Sequence, residues 1–281
     1  MSRTVYVNGS YMPEENATVS IFDRGFLFAD GVYEVTAVLD GKLVDYAGHV
    51  TRLERSLGEL QMGMPISSEE LLEVHRELIK RNNLEEGALY LQITRGAEDR
   101  NFLFPKDAKQ TIVLFTQAKS LTAEKSGLRV ISVPDIRWGR RDIKTVQLLA
   151  PSMAKMMAKA AGKDDSWMVQ DGFVTEGTSN NAYIVTKEGK IITRNLSTSI
   201  LHGITRAAVL KLAAELDMEV EERPFTIEEA QQAVEAFVTA ATSFVCPVVE
   251  IDNVELSGGK VGPVATRLNQ IYIEESRKAA I

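Results

Sequence analysis

The sequence predicts a mixed α/β (α+β) chain folded in two parts, and three observations carry that prediction. Short runs rich in β-branched and aromatic residues, such as 32–39 and 88–95, alternate with stretches of helical period, such as 46–60 and 68–82. Asn8-Gly9, Asp40-Gly41, Asp171-Gly172 and Glu188-Gly189 stand between strand-like runs, so antiparallel hairpins are expected in both halves. A polar stretch without periodicity, 117–127, divides the chain. It sets a first domain at 1–118, a linker at 119–127 and a second domain at 128–281. At 281 residues the chain is long enough to give both parts a buried core.

In order, residues 4–11 read as a strand, an Asn-Gly turn and a returning strand. A turn-rich segment, Asp23-Arg-Gly-Phe-Leu-Phe-Ala-Asp-Gly31, feeds the strand 32–39. Its alternation puts Tyr33, Val35 and Ala37 on one face and Glu34, Thr36 and Val38 on the other. Two helices follow, the second with Ser67 or Ser68 as N-cap. Strands at 88–95 and 111–115 close the first part, with an irregular polar loop at 96–109 between them. The second part opens with a strand at 128–133. A helix follows Lys144, with Val146, Leu149, Met153, Met157 and Ala160 repeating at three- and four-residue steps as an apolar face. Strands are expected at 166–169, 182–185, 190–193, 236–242 and 247–251. Helices are expected at 205–216, 227–232 and 263–278.

Composition narrows the function. Hydrophobic residues at 44% and charged residues at 25% are those of a soluble globular protein. A net charge of −7 argues against nucleic acid or an anionic membrane as partner. No apolar run spans a bilayer and no secretory leader is evident, so a cytoplasmic location is expected. The single cysteine, Cys246, lies in an apolar run and reads as core. There is no glycine-rich dinucleotide fingerprint, P-loop or nucleophile elbow. His49, His75 and His202 are scattered, and one cysteine offers no metal-ligand spacing, so no metal is expected.

What remains is a set of anchoring groups around one amine. Lys144, at the edge of an apolar helix, can lose solvation and act as a nucleophilic amine, although alone it reads as a surface lysine. In Leu201-His-Gly-Ile204-Thr205 a glycine loop runs into a helix whose free N–H groups suit a phosphate, or simply form an N-cap. Thr242-Ser243 leaves a strand with two hydroxyls, suited to an anion or to an ordinary turn. Arg52 alone reads as a solvated residue of its helix. In Val174-Thr-Glu176-Gly-Thr-Ser-Asn-Asn181 a carboxylate lies in what reads as a turn, where it could also face a protonated ring nitrogen.

Taken in order, Asp30-Gly-Val-Tyr33-Glu, His49-Val-Thr-Arg52-Leu, Asp142-Ile-Lys144, Thr175-Glu176-Gly-Thr-Ser-Asn, Gly203-Ile-Thr205-Arg and Thr242-Ser243 resemble the fold type IV pyridoxal-phosphate-dependent aminotransferases, in particular their D-amino-acid group. The likeness runs over nearly the whole chain. It implies pyridoxal 5'-phosphate as cofactor, held between two domains in a homodimer. It implies a transaminase moving an amino group between a D-amino acid (D-alanine or D-glutamate type) and a 2-oxo acid. By the same resemblance Lys144 forms the Schiff base and carries the proton, and Glu176 partners the pyridine nitrogen. Arg52, Ile204, Thr205 and Thr242 form the phosphate cup, Leu201 supports one face of the ring, and Tyr33 points into the substrate pocket.

One departure bears on the substrate. The D-amino-acid group carries an Arg-x-His pair that traps the substrate carboxylate, and here the matching residues are Arg100-Asn101-Phe102. A phenyl ring donates no hydrogen bond, and a bond to a charged group contributes about 1.5–3 kcal/mol. Arg100 then holds the carboxylate with Tyr33 and a water, or swings out and leaves an apolar pocket; Phe102 could also simply pack the loop. The competing activities are an (R)-selective amine or branched-chain amino-acid transaminase and, of another reaction class, aminodeoxychorismate lyase. A non-catalytic binding protein on the same scaffold is the third reading.

Overall fold

The computed structural model describes residues 2–281. Its chain groups into two compact units. The first takes the chain up to Leu121 together with Ile143–Gln147 and Ala279–Ile281, and the second takes Thr122–Asp142 and Leu148–Lys278. The break at Leu121 falls within the stretch read as a linker. The five residues around Lys144, expected in the second domain, group instead with the first. The reason is a vacant sheet edge: the start of strand 31–39 pairs on one side only, and residues 144–146 take the other. The Tyr33 N–H donates to the Lys144 carbonyl (3.0 Å) and the Val146 N–H to the Gly31 carbonyl (3.1 Å).

The first unit contains, in order, β1 (Thr4–Val7), β2 (Ser10–Pro13), α1 (Arg24–Phe28), β3 (Gly31–Leu39), β4 (Lys42–Leu43), α2 (Tyr46–Glu59), α3 (Ser68–Arg81), β5 (Glu86–Thr94) and β6 (Thr111–Ala118). The strands form one antiparallel sheet in the order β2-β1-β6-β5-β3-β4. Asn8 and Gly9, at φ 49° and 93°, make the tight turn that joins β1 to β2. Residues 24–28, expected as part of a turn, form a helix because the Asp23 carboxylate caps it by accepting from the Gly25 N–H at 2.8 Å. Helix α3 is capped by Ser67 and carries Glu69 and Glu70 in its first turn and Lys80 and Arg81 in its last, matching its dipole. Leu53, Leu57, Leu71 and Leu78 of the two longer helices are buried, as are Leu89, Leu91 and Leu114 of the sheet.

The second unit contains β7 (Leu128–Pro134), α4 (Leu149–Ala160), β8 (Asp165–Gln170), β9 (Phe173–Gly177), β10 (Asn181–Val185), β11 (Ile191–Thr193), α5 (Ile204–Glu215), β12 (Val220–Glu222), α6 (Ile227–Gln232), β13 (Glu235–Ala240), β14 (Phe244–Ile251) and β15 (Val254–Glu255); α7 (Pro263–Ala279) follows. The sheet runs β12-β11-β10-β13-β14-β7-β8-β9, with β15 on β14. Hairpins dominate, but β7 is parallel to both β14 and β8, and β11 to β12. The core packs Val130, Trp167, Ile184, Phe225, Val238, Cys246 and Ile251, so Cys246 is buried as read.

Helix α4 departs from the expected orientation. Its buried residues are Ala154 and Ala158, while Leu149, Met153 and Met157 of the apolar stripe are 75%, 50% and 51% exposed. The small alanines let the helix backbone lie close to the sheet, and the Ser166 hydroxyl donates to the Ala154 carbonyl at 2.7 Å. Among the described residues no helix is long and apolar enough to cross a membrane.

Candidate active site

The candidate residues of the first unit gather on β3 and α2. The Lys144 side chain is half-buried, and its Nζ stands 4.2 Å from the centroid of the Tyr33 ring. Its backbone N–H reaches Ser56 Oγ at 3.4 Å, which joins it to α2. Among the described residues the ammonium has no carboxylate partner, so no ion pair must be broken before the amine reacts.

The neighbour of Tyr33 on β3, Glu34, points to the opposite face and is buried. Arg52 clamps it with both arms of a fork, Nε to Oε1 at 2.8 Å and Nη2 to Oε2 at 2.7 Å. His49 Nδ1 lies 2.8 Å from Oε2. Burial alone would push the Glu34 carboxyl up, but the Arg52 guanidinium and His49 overcome it and hold the carboxyl at about 2. Arg52 is therefore buried and fixed in one orientation, not solvated. The roles of Glu34 and His49 escaped the sequence reading. A signal existed: His49 and Arg52 are three residues apart on one helix face, opposite a carboxylate on the inward side of a strand.

The candidates of the second unit meet at one end of its sheet. Glu176 lies on β9, a strand rather than the expected turn, and is 3% exposed. It accepts from the Leu201 N–H at 3.1 Å, from Asn181 Nδ2 at 3.0 Å and from Arg137 Nη1 at 2.5 Å. Burial pushes its carboxyl above the ordinary range, and Arg137 opposes that rise. Asn181 also donates to the Leu201 carbonyl at 3.0 Å. A Cβ at Gly203 would come within 2.1 Å of Asn181 Oδ1, so only glycine lets the α5 entry pass so close. Gly203 is the N-cap of α5 and supplies no side-chain cap, leaving the first-turn N–H groups at Ile204 and Thr205 for another acceptor. Thr242 sits in the turn after β13, three residues beyond Thr239, which is paired in register with Asn181.

Among the described residues no hydrogen bond, ion pair or ring contact joins Arg100 or Phe102 to Lys144. They lie on the loop after β5, where the Arg100 guanidinium is 5.5 Å from the ring centroids of both Phe28 and Phe102. Phe102 is 77% exposed, which leaves it open to a partner or substrate and not simply packing the loop. The loop is anchored from below: buried Arg24 donates to Asp30 at 2.7 Å and to the Asn101 carbonyl at 2.5 Å, while Arg95 forks Asp30 at 2.8 and 3.0 Å.

Residues 31–251 match the amino-transferase class IV family. The chain is 37% identical to a D-alanine aminotransferase of Staphylococcus haemolyticus over 269 residues, covering 95% of each chain. It is 35% identical over 280 residues to the D-alanine aminotransferase of Listeria monocytogenes, covering 98% of this chain and 96% of that one. Among solved structures it is similar to a T.th. branched-chain amino acid aminotransferase complexed with N-(5'-phosphopyridoxyl)-L-glutamate. That likeness has a TM-score of 0.89 at 27% identity, covering 99% of this chain and 95% of the other. The branched-chain aminotransferase of Thermoproteus uzoniensis with norvaline gives 0.86 at 26% identity, covering 98% and 94%.

Proposed function

The chain belongs to the amino-transferase class IV family, and on that premise we propose that it moves the amino group of a D-amino acid, of the alanine or glutamate type, to a 2-oxo acid. It is a pyridoxal-phosphate-dependent aminotransferase of fold type IV. The observation that carries the reading is the amine of Lys144 beside Tyr33, without a carboxylate partner among the described residues. The donor set suits a phosphorylated aromatic aldehyde: an amine free of ion pairs, a buried carboxylate at Glu176 and an uncapped helix N-terminus at α5.

In this assignment the Lys144 amine would anchor the cofactor at its aldehyde group and, once the substrate's amino group has displaced it there, would take the proton of the substrate's α-carbon at Nζ and return it. The bound cofactor supplies a ring that withdraws electrons from that carbon. Glu176 would face the cofactor's ring nitrogen and favour a proton there, and Leu201 would support one ring face. Arg52, Thr242 and the backbone N–H groups of Ile204 and Thr205 would hold the phosphate, and the Glu34 fork keeps the Arg52 side chain in one orientation. Tyr33 would point into the substrate pocket and Arg100 would meet the carboxylate, with Phe102 giving that end of the pocket an apolar side.

The higher identity to proteins named D-alanine aminotransferase favours the D-amino-acid reading. The exposed Phe102, where a second donor would be needed, keeps branched-chain and (R)-amine transamination as the second reading. The purified holoprotein, supplied with pyruvate or 2-oxoglutarate, is expected to prefer D-alanine or D-glutamate over L-leucine and (R)-1-phenylethylamine. Activity with L-leucine alone would overturn the assignment.

We also place the enzyme in the cytoplasm, a reducing compartment suited to its one free cysteine, and assign it a homodimer. The exposed stripe Leu149, Met153, Met156 and Met157 on α4 supports a second copy as the occupant of that face. Sedimentation of the doubly charged variant Met153→Glu/Met157→Glu is expected to show at least a 100-fold weaker dimer, on the order of 3 kcal/mol. Unchanged association would remove α4 from the interface.

A further inference from the structure

Arg137 lies between β7 and the Lys144 segment, in a stretch that also carries Arg140 and Arg141. Its guanidinium faces two carboxylates at once. Nε and Nη2 fork Asp135 at 2.9 and 2.7 Å, and Nη1 meets Glu176 Oε1 at 2.5 Å. Asp135 is itself fixed: its side chain is fully buried, the Thr175 hydroxyl lies 2.6 Å from Oδ2, and Arg141 Nη1 lies 3.4 Å from Oδ2. The neighbours of Glu176 that carry charge are thus Arg137 and, behind it, Asp135 and Arg141; Leu201 and Asn181 contribute only neutral donors.

A carboxylate this deeply buried favours its neutral form unless a cation faces it. Burial is the largest influence on Glu176 and pushes its carboxyl up, and Arg137 is the cation that opposes it. Asp135 holds that cation in position without withdrawing it, because the planar fork leaves Nη1 directed at Glu176. We propose that Arg137 is the positioning residue that keeps Glu176 an anion, aimed so that it holds the proton on the cofactor's ring nitrogen. The proposal rests on the cofactor role given to Glu176 above. An anionic Glu176 beside a protonated ring is the charge-separated arrangement, and a cation on the far side of the carboxylate favours it. Without Arg137 the proton moves to the carboxyl group, and the ring loses much of its electron-withdrawing power.

The test uses Arg137→Met, Arg137→Lys and the double variant Asp135→Asn/Arg137→Met, which removes both charges so that Asp135 is not left buried and unpaired. Infrared spectra of the cofactor-free proteins near neutral pH are expected to show the C=O stretch of a protonated carboxylic acid in Arg137→Met and in the double variant. Wild type and Arg137→Lys are expected to lack it, and the added change Glu176→Gln is expected to abolish it. With pyridoxal phosphate bound, the pH dependence of the visible band should shift in Arg137→Met and in the double variant. The kcat of each half-reaction should fall roughly 100-fold with KM little changed. The double variant should regain thermal stability while keeping the altered spectrum, which a merely structural role would not produce. If Arg137→Met fails to fold, the double variant decides alone. A folded variant with no acid band and a wild-type visible titration overturns the proposal. A wild type that takes up no pyridoxal phosphate overturns the cofactor role of Glu176, and the infrared band still decides its ionisation.

Discussion

Lys144→Ala is expected to lower transamination by on the order of 10⁴-fold or more, since it removes both a nucleophile and a proton carrier. Among the described residues no second amine stands over the Tyr33 ring, and Ser56 reaches only the Lys144 backbone. The fold should survive, because residues 144–146 are held to β3 through backbone hydrogen bonds that alanine keeps. The variant is therefore expected to unfold at the wild-type temperature in the absence of cofactor, and to lack the covalent absorbance band in its presence. Stopped-flow measurement of the half-reaction with D-alanine checks the loss; activity within 10-fold of wild type would remove Lys144 from the centre of the mechanism.

Glu34→Gln carries the largest expected effect on stability. Breaking a buried ion pair by removing one partner typically costs about 3–5 kcal/mol, because the remaining charge loses its compensation. Here Arg52 would keep a fork aimed at a neutral amide, and His49 would lose the carboxylate at 2.8 Å. The pH dependence has a definite sign. The folded carboxyl titrates at about 2, below its ordinary value near 4.5, so its contribution is fully present above the ordinary value and is lost as pH falls from there toward 2. A shift of that size corresponds to about 3 kcal/mol, within the range for a broken buried pair. Urea unfolding of the wild type should weaken steeply between pH 5 and 2 by roughly this amount, and Glu34→Gln should show a flatter profile there. A variant with the wild-type slope would place the acid sensitivity elsewhere. Phosphate binding should weaken in the same variant, because Arg52 loses its fixed orientation.

Local features of this fold were legible because they are written within a few residues. The Asn8-Gly9 turn, the Ser67 cap and the β-rich run 32–39 each follow from one short stretch of backbone chemistry. The same holds for the glycine before α5, although the reason only glycine fits there, the approach of Asn181, comes from 22 residues earlier in the chain. What escaped were pairings between distant segments. Glu34 and Arg52 are 18 residues apart, and Arg137 and Glu176 are 39 apart. Neither spacing has a period, so charge partners across elements leave no pattern in the sequence. Helix α4 shows a different limit. Periodicity reported a real apolar stripe, but not whether the stripe or the alanine face would meet the sheet. Glu176 was misplaced on a turn because Gly177 and the small polar residues after it resemble one, whereas the strand ends only at Gly177.

The division of the chain also bears on how it is made. The first unit is not finished when residue 121 has been synthesised: it still lacks Ile143–Gln147, which occupy the edge of β3, and Ala279–Ile281. Ile281 exchanges two backbone hydrogen bonds with buried Leu43, at 2.8 and 3.1 Å. On the ribosome the β3 part of that edge waits for about 20 further residues, whereas the Leu43 part stays unpaired until more than 150 have appeared, about 10–30 s at 5–20 residues per second. An exposed strand edge held open that long invites pairing with another nascent chain. Completion of the first unit is thus a late event of synthesis, and the segment bearing Lys144 arrives as one of its missing strands.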